Sequence, residues 1–585
     1  MVSVLILWIV YGLVFTAFGH AVTTQVEKLM PEKTTIPGIT VLFLTGIAIA
    51  GSIAGIVSLF SPVNTITTGI PLLVLAGIYA IASKDFRQYA VEKLSTLKAA
   101  PVALKACIAL VFAGILMKCA SESLRYDEGL YYIQTVKWIE NYAVVPGLAN
   151  LHHRLCFNSN WHLLSAAFGL RPFYIGSTYR IIGLLCIIVW AFEFPKAAMG
   201  PRSASSIFAF ICSINGLFML SSGAYSLEPD YVVATFIVFI YYRFLKRAEA
   251  GSFFKSDTEL FILFFLSFYT ITLKLSACFI VLPAIITAGY AWLKGSSKPL
   301  MAAIPATAII LIVWMTRFSI TTGWILFPFR AINLINPDWK LPESVIINEE
   351  NYINAFARSV RVTVFEHSKT FAEINAMPFN EWIPMWFFDL KQKDKIEMII
   401  LGISLLIGFT ICLGPIYKKL TIKKSERAIS YNEWLILFGS VFAALLFWFI
   451  KAPAYRFAIG FIFVAKAMCL AMLTNSIKLR LPKFTEATII TAVAFIFLFL
   501  IRDKEALVNH PVFPAPLPKF ETGTDKINNM EIYVPAMDYR YGTGKIARYR
   551  SENCWDAPLP CSIYYNPEIE MRGPSLGDGF RVRKQ

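Results

Sequence analysis

Charged residues are scarce in this chain. Asp, Glu, Lys and Arg make up 16% of its 585 residues, whereas an ordinary soluble domain carries about 25%. Hydrophobic residues make up 57%, and many of them lie in apolar runs long enough to cross about 30 Å of hydrocarbon. The composition therefore excludes an ordinary soluble protein. It predicts an all-α polytopic membrane protein, because helices satisfy their own backbone hydrogen bonds in a bilayer.

The chain also lacks features that would suggest other classes. No Lys or Arg precedes the first apolar run, so residues 2–20 do not resemble a secretory signal and are interpreted as a true span. No internal repeat is visible, which disfavours a transporter built from two inverted halves. The net charge of +16 lies largely in short connectors between spans, so nucleic acid is not expected as a partner.

Cysteine is rare outside the apolar runs. Cys554 and Cys561 both lie in a polar tail that the topology below places outside the cytoplasm. A disulfide persists in such a compartment, and we expect one between these two residues. Two free thiols are the alternative, because spacing alone does not fix pairing.

Fourteen spans are predicted from hydropathy. The 231–245 and 258–274 spans are short, and this pair could be partly re-entrant. The spans lie near residues 2–20, 39–60, 65–83, 102–118, 174–194, 205–223, 231–245, 258–274, 276–293, 299–316, 396–415, 432–450, 457–474 and 485–501.

Basic connectors set the orientation. The connectors 84–101, 242–255, 417–430 and 477–483 are rich in Lys and Arg. With fourteen crossings all four fall on one side, which is therefore the predicted cytoplasm. Both termini are then extracytoplasmic. The segments predicted to face outward are residues 119–173, 224–230, 317–395, 451–456 and the tail 502–585.

The first long outward connector, residues 119–173, has the densest set of polar side chains. It opens with Asp127 and Glu128 directly after an apolar run. One interpretation is that a carboxylate caps the short interfacial helix predicted by the spacing of Tyr131, Gln134 and Trp138. The other is catalysis, since one positioned carboxylate can deprotonate a sugar hydroxyl. The two roles are compatible, because a helix N-terminus holds a carboxylate in place.

Other polar residues of the outward segments suit recognition of a sugar or an acceptor. Adjacent histidines point to different faces of a helix, so hydrogen bonding is favoured over metal ligation, and no metal ligand is assigned. A second carboxylate leaves room for a divalent cation, Mg²⁺ or Mn²⁺, as a cofactor. The candidate sugar- or acceptor-binding residues are Tyr131, His152, His153, Arg154, Asn158, Glu228 and Asp230.

Four cations occupy unfavourable places at the outer membrane boundary. Lys451 and Arg456 lie in a very short outward connector, where the positive-inside rule disfavours them. Lys274 and Arg317 lie at the ends of spans, where charge is costly. A ligand phosphate or diphosphate would explain all four. The alternative for Lys274 and Arg317 is that each extends to the interface without binding a ligand.

A span followed by an outward acidic pair and a tyrosine, here RYDEGLYY (125–132), resembles the GT-C superfamily of membrane glycosyltransferases. SLEPDY (226–231) resembles the acidic second outward loop of that superfamily. An uncharacterised family of large bacterial inner-membrane proteins shows a closer resemblance, from about residue 120 to the C-terminus. That closer resemblance rests on GLANLHHRLCFNSNWHLLSA, TTGWILFPF, PDWKLPE, KAPAYRF, CWDAPLPC and GDGF.

The resemblance implies an organisation of the chain. Three extra spans occupy residues 1–101, and a seven-span module with its active-site loop occupies residues 102–316. The outward loop 317–395, four spans in residues 396–501 and the tail 502–585 follow. The tail is expected to form a small cap with turns and a short strand or two. The implied location is the bacterial inner membrane, with both termini extracytoplasmic.

The resemblance also implies an activity in cell-envelope polysaccharide biosynthesis. Asp127, favoured over Glu128, would be the base of an inverting transfer from a polyprenyl-phosphate-linked sugar. The phosphate would be held by Arg456, Lys451, Lys274 and Arg317, and the acceptor would be a glycan, a lipid or a protein. A polysaccharide polymerase or ligase is the first alternative. A lipid-linked oligosaccharide flippase is the second, and it would be expected to place charges in mid-membrane instead.

Overall fold

The computed structural model describes residues 1–30, 37–99, 102–121, 125–171, 173–174, 180–295, 298–413, 429–477, 505–518, 522–540, 546–550, 553–562 and 567–583. The described chain is mainly helical. Its first eleven α-helices are α1 Val2–Lys28, α2 Ile39–Val57, α3 Ile70–Ala82, α4 Lys84–Ala99, α5 Val102–Ala120, α6 Ile133–Asn141, α7 Asn160–Ala167, α8 Ile181–Cys186, α9 Phe194–Ala198, α10 Ala204–Ser222 and α11 Pro229–Glu249.

The next ten helices include the remaining candidate spans. They are α12 Thr258–Leu273, α13 Val281–Leu293, α14 Lys298–Thr322, α15 Glu343–Arg358, α16 Phe371–Ala376, α17 Phe379–Asp389, α18 Gln392–Cys412, α19 Tyr431–Lys451, α20 Ile459–Ile477 and α21 Glu505–Asn509.

Ten helical segments among the described residues are long and apolar enough to cross a membrane. Two shorter apolar helices, Ile108–Ala120 and Thr258–Leu273, correspond to two further predicted spans. The predicted 231–245 span lies within α11, which is not among the ten. The described helix of the predicted 174–194 span starts at Ile181, and residues 175–179 of that span lie outside the described residues. The last predicted span, 485–501, lies outside the described residues.

The segments predicted to face outward meet at one end of the helical bundle. The backbone N–H of Gly147 donates to Ile320 O at 2.9 Å, and that of Phe580 donates to Pro146 O at 2.9 Å. Trp386 Nε1 donates to Pro453 O at 2.8 Å. These contacts connect the first outward connector, the 317–395 loop, the 451–456 connector and the tail. Segments from four places in the sequence therefore build one surface.

The opposite end of the bundle contains the described connectors among those predicted to be cytoplasmic, residues 84–99 and 242–255. Arg247 donates to Asp257 Oδ1 at 2.7 Å between α11 and α12. The backbone N–H of Ser205 donates to Glu249 Oε1 at 3.0 Å. Tyr89 in α4 donates to Pro37 O at 3.3 Å. The two ends thus have separate polar networks, which is the arrangement that the alternation of predicted spans requires.

The first two helices pack with close backbone contact. A Cβ on Gly19 in α1 would lie 1.8 Å from Leu42 O, and one on Gly46 in α2 would lie 1.7 Å from Phe15 O. Only glycine permits such an approach, and small residues commonly serve this purpose between helices in membranes. The α1–α2 pair is therefore an integral part of the bundle.

The tail corrects the all-α expectation. It contains β1 Thr522–Ile527, β2 Met530–Arg540, β3 Ile546–Arg550, β4 Ile569–Met571 and β5 Phe580–Val582. The first three strands form an antiparallel sheet in the order β1-β2-β3, and β4 pairs antiparallel with β5. In β2, Ile532 and Val534 are buried on one face while Glu531 points outward. This alternation is typical of a sheet with one covered face. It is hard to recognise in the sequence, because prolines and aromatic residues interrupt the pattern of apolar and polar residues.

The helix after the acidic pair also differs from expectation. A short π-helical segment, Glu128–Tyr132, leads into α6. Every residue from Ile133 to Glu140 is buried, so α6 is not an interfacial helix with one face in solvent. Its polar face is covered by the disulfide-closed loop 554–561, since Gln134 Nε2 donates to Trp555 O at 2.9 Å.

Candidate active site

Asp127 and Arg456 form an ion pair across 329 residues of sequence. Arg456 Nη1 lies 2.6 Å from Asp127 Oδ2. Asp127 is the N-cap residue of the π-helical segment Glu128–Tyr132, and Arg456 lies on a 3₁₀ turn at the start of the α20 segment. The Asp127 side chain is 11% exposed and the Arg456 side chain 43%. The pair thus joins a buried carboxylate to a cation that solvent and ligands can reach.

A second ion pair lies beside the first. Arg125 Nη1 is 2.6 Å from Glu228 Oε2, and it also donates to the Tyr231 hydroxyl at 3.1 Å. The guanidinium lies over the ring of Tyr225, 5.3 Å from its centroid. Burial raises the pKa of Glu228 to about 7, with a smaller contribution from nearby carboxylates including Asp127, while Arg125 opposes the shift. Such crowding of acidic groups is typical of functional sites.

The third pair uses the break between α12 and α13. Lys274 is extended, with φ −161° and ψ 130°, and separates α12 from the following 3₁₀ turn. Its ammonium group contacts Asp230 Oδ1 and lies 4.8 Å from the centroid of Phe457. The helix break therefore turns Lys274 toward the site, and Lys274 does not simply extend to the membrane interface.

Glu128 and the tyrosines complete this group. Glu128 is buried, and its Oε1 accepts a hydrogen bond from the backbone N–H of Leu227 at 2.6 Å. Tyr131 and Tyr132 are buried with ring centroids 4.3 Å apart. We use the name charge cluster for seven residues: Arg125, Asp127, Glu128, Glu228, Asp230, Lys274 and Arg456.

Two of the other predicted residues, His153 and Arg154, contact a carboxylate that the sequence did not single out. His153 Nε2 lies 2.9 Å from Glu349 Oε2, and Arg154 Nε donates to Glu349 Oε1 at 2.9 Å. Burial opposes the ionisation of Glu349, but His153 and Arg154 together lower its pKa. His152 is buried beside His153, and burial lowers its pKa well below the usual value. Arg154 also stacks on Tyr352, 5.3 Å from the ring centroid.

The structure does not bring every predicted residue to the charge cluster. Arg317 is buried elsewhere, and its Nε donates to Asn158 Oδ1 at 2.8 Å. Asn158 also donates from Nδ2 to Trp314 O at 2.8 Å, so this amide holds α14 and is not open to a sugar. Lys451 is exposed at the C-terminal end of α19. No described residue forms an ion pair with it.

The tail forms one wall of the site region. Cys554 and Cys561 form a disulfide, which closes the loop containing Trp555 and Asp556. The backbone N–H of Trp555 donates to Gly129 O at 2.9 Å, next to the acidic pair. Lys137 Nζ lies 3.2 Å from Asp556 Oδ1, and Arg171 contacts the same carboxylate. The loop therefore holds the segment that contains Asp127 and Glu128 in position.

The carboxylates of the charge cluster do not form a metal site. Among the described residues, no group of three or more His, Cys, Asp and Glu side chains is arranged to hold a metal ion. Asp127, Glu228 and Asp230 are each paired with a cation, and Glu128 accepts from a backbone N–H. The residues present therefore do not fit a resident divalent cation.

Sequence reasoning missed Arg125 and Glu349. Arg125 lies two residues before the first predicted carboxylate, and its proximity to that pair was the only available signal. Glu349 lies within α15 in a run with other acidic residues, NEEN, which in sequence resembles a solvated helix face. Nothing in the sequence indicates that this one carboxylate turns toward His153 and Arg154.

The fold and its apolar helices define a polytopic helical membrane protein. A family model described as a domain of unknown function, DUF8201, matches residues 1–463, and the chain belongs to this family. The match begins at residue 1, so the N-terminal spans that we set apart as additions fall within the family's region. The tail, where part of the family resemblance was expected, lies beyond the match.

No curated protein matches the sequence. Among solved structures, the chain is similar to the arabinosyltransferase EmbB from Mycobacterium smegmatis, with 12% sequence identity and a TM-score of 0.29. The similarity covers 75% of this chain and 47% of the EmbB chain. The matched region thus spans about half of the length of EmbB.

Proposed function

We propose that this protein is an integral membrane glycosyltransferase. It transfers a sugar from a polyprenyl-phosphate-linked donor to a glycan, lipid or protein acceptor on the extracytoplasmic face, with inversion at the anomeric carbon. One observation carries this proposal: the expected base, Asp127, and the expected phosphate-binding cation, Arg456, lie 2.6 Å apart although 329 residues separate them in sequence. An inverting transfer needs a base and an anion-stabilising group at the same place.

The ion pair suggests an order of events. In the free protein the guanidinium of Arg456 is bonded to Oδ2 of Asp127, the expected base. The donor phosphate competes for the exposed guanidinium, because Arg binds phosphate with two parallel hydrogen bonds. Asp127 is then released toward the acceptor. Donor binding would thereby activate the base only when a sugar is present.

The transfer step balances without a covalent intermediate. Asp127 takes the proton of the acceptor hydroxyl, and the acceptor oxygen forms a bond to the anomeric carbon. The bond from that carbon to the phosphate oxygen breaks, and polyprenyl phosphate leaves with the electron pair. Arg456 and Lys274 offset the charge that develops on the leaving phosphate. Lys451, five residues before Arg456, contributes longer-range attraction for the donor.

The remaining residues position the groups that react. Arg125 holds Glu228, and Glu128 binds the Leu227 backbone, so the two acidic segments are fixed relative to each other. Tyr131 supplies a buried aromatic wall next to Asp127. His152, His153 and Arg154 are proposed to face the acceptor, with Glu349 fixing the orientation of the last two. Asp230 holds Lys274 in place. No step is routed through a metal ion.

The proposed location is the cytoplasmic membrane of a bacterium, with the charge cluster on the outer side. This orientation rests on the basic connectors predicted to be cytoplasmic. It gives the site access to lipid-linked donors in the outer leaflet and to acceptors of the cell envelope.

The test uses the purified protein in lipid nanodiscs with a radiolabelled pool of polyprenyl-phosphate sugars and a membrane extract as the source of acceptor. Transfer of label is compared between wild type, Asp127→Asn and Asp338→Asn. Asp338 is a matched control, because this residue of the 317–395 loop also pairs with an arginine, Arg572 of the tail, but on the exposed surface. We expect Asp127→Asn to lower the rate by about 10²- to 10⁴-fold and Asp338→Asn to leave it unchanged.

Three other outcomes would contradict the proposed base, the proposed class of activity or the proposed transferred group. Equal transfer by wild type and Asp127→Asn would remove Asp127 from the mechanism. Absence of transfer by wild type that still binds the donor would favour the flippase, and a liposome translocation assay would then be decisive. Attachment of a whole oligosaccharide instead of a single sugar would indicate the polymerase or ligase.

A further inference from the structure

Arg317 is a buried cation that has no carboxylate partner among the described residues. It lies in α14, five residues before the end of that helix at Thr322 and therefore about 8 Å below it. Its Nε donates to Asn158 Oδ1 at 2.8 Å and its Nη1 to the Ser58 hydroxyl. Both acceptors are neutral. No carboxylate among the described residues lies within ion-pair distance of it, and Nη2 has no protein partner in that part of the chain.

A cavity adjoins this guanidinium. Its polar lining comes from Ser58, Thr135, Asn158, Ser159, Thr321 and Arg317. Trp138 also lines it, and among the described residues its buried indole N–H has no acceptor. The half-exposed residues Tyr142, Ala143 and Val144 form another part of the wall. The cavity thus combines a cation with an unused hydrogen-bond donor.

The burial of Arg317 is unfavourable unless a further group of opposite charge binds its guanidinium. Burying a guanidinium removes its hydration, and two neutral acceptors compensate only in part. An arginine near a helix end normally avoids this cost by extending to the interface. Arg317 is 6% exposed and is held inward by Asn158 and Ser58. An ionisable group kept at such a cost in a membrane protein points to a ligand of opposite charge.

We propose that this cavity is a binding site for a phosphate group, with Arg317 as its main ligand. A guanidinium presents donors in a planar fork that matches phosphate oxygens. Among the described residues Nη2 has no hydrogen-bond partner, and the indole N–H of Trp138 is a second available donor. The lining hydroxyls of Thr135 and Ser159 already donate to backbone carbonyls, at 2.8 Å to Tyr131 O and 2.7 Å to Leu273 O. The donors that remain for a ligand are therefore those of Arg317 and Trp138, and they suit an anion whose oxygens accept hydrogen bonds.

This site is separate from the charge cluster. None of the hydrogen bonds of Arg317 involves a residue of the cluster. Glu128 and Trp138 are ten residues apart along consecutive helical turns, a rise of about 15 Å. Between the two regions lie the rings of Tyr132 and His162, with centroids 5.0 Å apart. The proposal does not depend on glycosyl transfer, because phosphate binding is measured without any reaction.

The experiment measures thermal stability of the full-length protein in nanodiscs with increasing inorganic phosphate at constant ionic strength. Wild type and Arg330→Gln are expected to show the same saturable rise in Tm. Arg330 is a matched control, because it is an exposed arginine of the neighbouring outward loop that pairs with Glu343 at 3.0 Å. Arg317→Gln is expected to abolish the rise. An equal rise in Arg317→Gln, or none in wild type with any probe below, would overturn the proposal.

Two further variants keep the test informative if Arg317→Gln fails to fold. Arg317→Lys keeps the charge but loses the fork, and we expect the phosphate Kd to rise at least tenfold. Trp138→Phe keeps the ring but loses the N–H, and we expect a rise of a few fold. Unchanged Kd values in both variants would also overturn the site.

Comparing two probes distinguishes a water-soluble source of the phosphate group from a lipid source. A soluble sugar phosphate that stabilises the protein through Arg317 as strongly as inorganic phosphate would assign a water-soluble ligand. Stabilisation that is much stronger with polyprenyl phosphate in the nanodisc, and that is lost in Arg317→Gln, would assign a lipid headgroup. Either result supports the phosphate site. It leaves the glycosyltransferase proposal untouched, because Asp127→Asn tests that activity separately.

Discussion

The cations of the charge cluster and the cation of the Arg317 cavity differ in the kind of group that they contact. In the cluster Arg125, Lys274 and Arg456 each contact a carboxylate. Within the described part of the chain, Arg317 instead donates only to neutral acceptors. Each cation of the cluster is therefore already paired, and an anionic ligand must displace an existing partner. Among the described residues the cavity has no counter-charge, and a ligand would supply it.

This difference shows why cations of similar sequence context can have different roles. Lys274 and Arg317 both lie at the ends of apolar helices, and both were assigned to one phosphate. The helix break at Lys274 turns its side chain toward Asp230. Arg317 lies within the continuous helix α14, and its side chain donates to Ser58 and Asn158. A cation is paired with a carboxylate or available to a ligand depending on which groups of other parts of the chain lie next to it.

The largest expected effect concerns the exposed member of the cluster. Replacing Arg456 by Gln should lower transfer by about 10²- to 10³-fold, because the leaving phosphate loses its main stabilising group. Phosphate stabilisation through the Arg317 cavity should remain. Initial rates at saturating donor and the phosphate-dependent Tm would be measured on the same preparation. Loss of both would mean that the two regions form one site.

Stability should distinguish paired from unpaired cations. Lys274→Met leaves the buried Asp230 carboxylate uncompensated, which should cost about 3–5 kcal/mol. Arg317→Met leaves no charge behind and only two neutral acceptors unsatisfied, which should cost about 1–3 kcal/mol. Denaturant unfolding in mild detergent would compare the two variants. A larger loss for Arg317→Met would indicate a hidden ion pair and would remove the contrast between the regions.

The variant Gly129→Ala tests whether the disulfide-closed loop 554–561 holds both the charge cluster and the Arg317 cavity in place. A Cβ on Gly129 would lie 2.3 Å from the Trp555 ring, so Gly129→Ala should displace the disulfide-closed loop from α6 at a cost of about 1–3 kcal/mol. Both transfer and phosphate binding should weaken, because α6 follows the acidic pair and also lines the cavity. Gly402→Ala is the control, since nothing lies within 4 Å of its added Cβ. Normal function in Gly129→Ala would show that the tail is dispensable for positioning.

The last expected effect is on stability at low pH, and it comes from His162, which lies between the regions. Burial lowers its pKa to about 4, while an unfolded histidine has a pKa of about 6.5. The unfolded state then binds more protons between those values, so stability falls as the pH decreases from about 6.5 to 4. At pH 5 the loss from this group is about 2 kcal/mol.

The measurement compares the drop in Tm between pH 7.5 and pH 5 in wild type and in His162→Gln, which cannot titrate. The variant should show the smaller drop. His367→Asn serves as control, because His367 is exposed with φ 49°, a conformation that Asn tolerates. An identical drop in wild type and His162→Gln would mean that water reaches the imidazole.

Much of the fold could be predicted because hydropathy is a local property. Each predicted span that falls among the described residues corresponds to a helix, including the short ones at 231–245 and 258–274. The β-strands of the tail were underestimated, because proline and aromatic residues interrupt their alternation. Burial of α6 was also missed, since its cover, the loop 554–561, lies more than 400 residues away in sequence.

The sequence by itself determined the membrane class, the approximate positions of the spans and the set of residues from which a site would be built. These follow from apolar run length and from charges kept in costly places. Only the tertiary structure decided that Asp127 pairs with Arg456, that Glu349 receives His153 and Arg154, and that Arg317 stands apart. The physical reason is that ion pairing depends on distances of a few ångströms between segments hundreds of residues apart, and local composition contains no information on those distances.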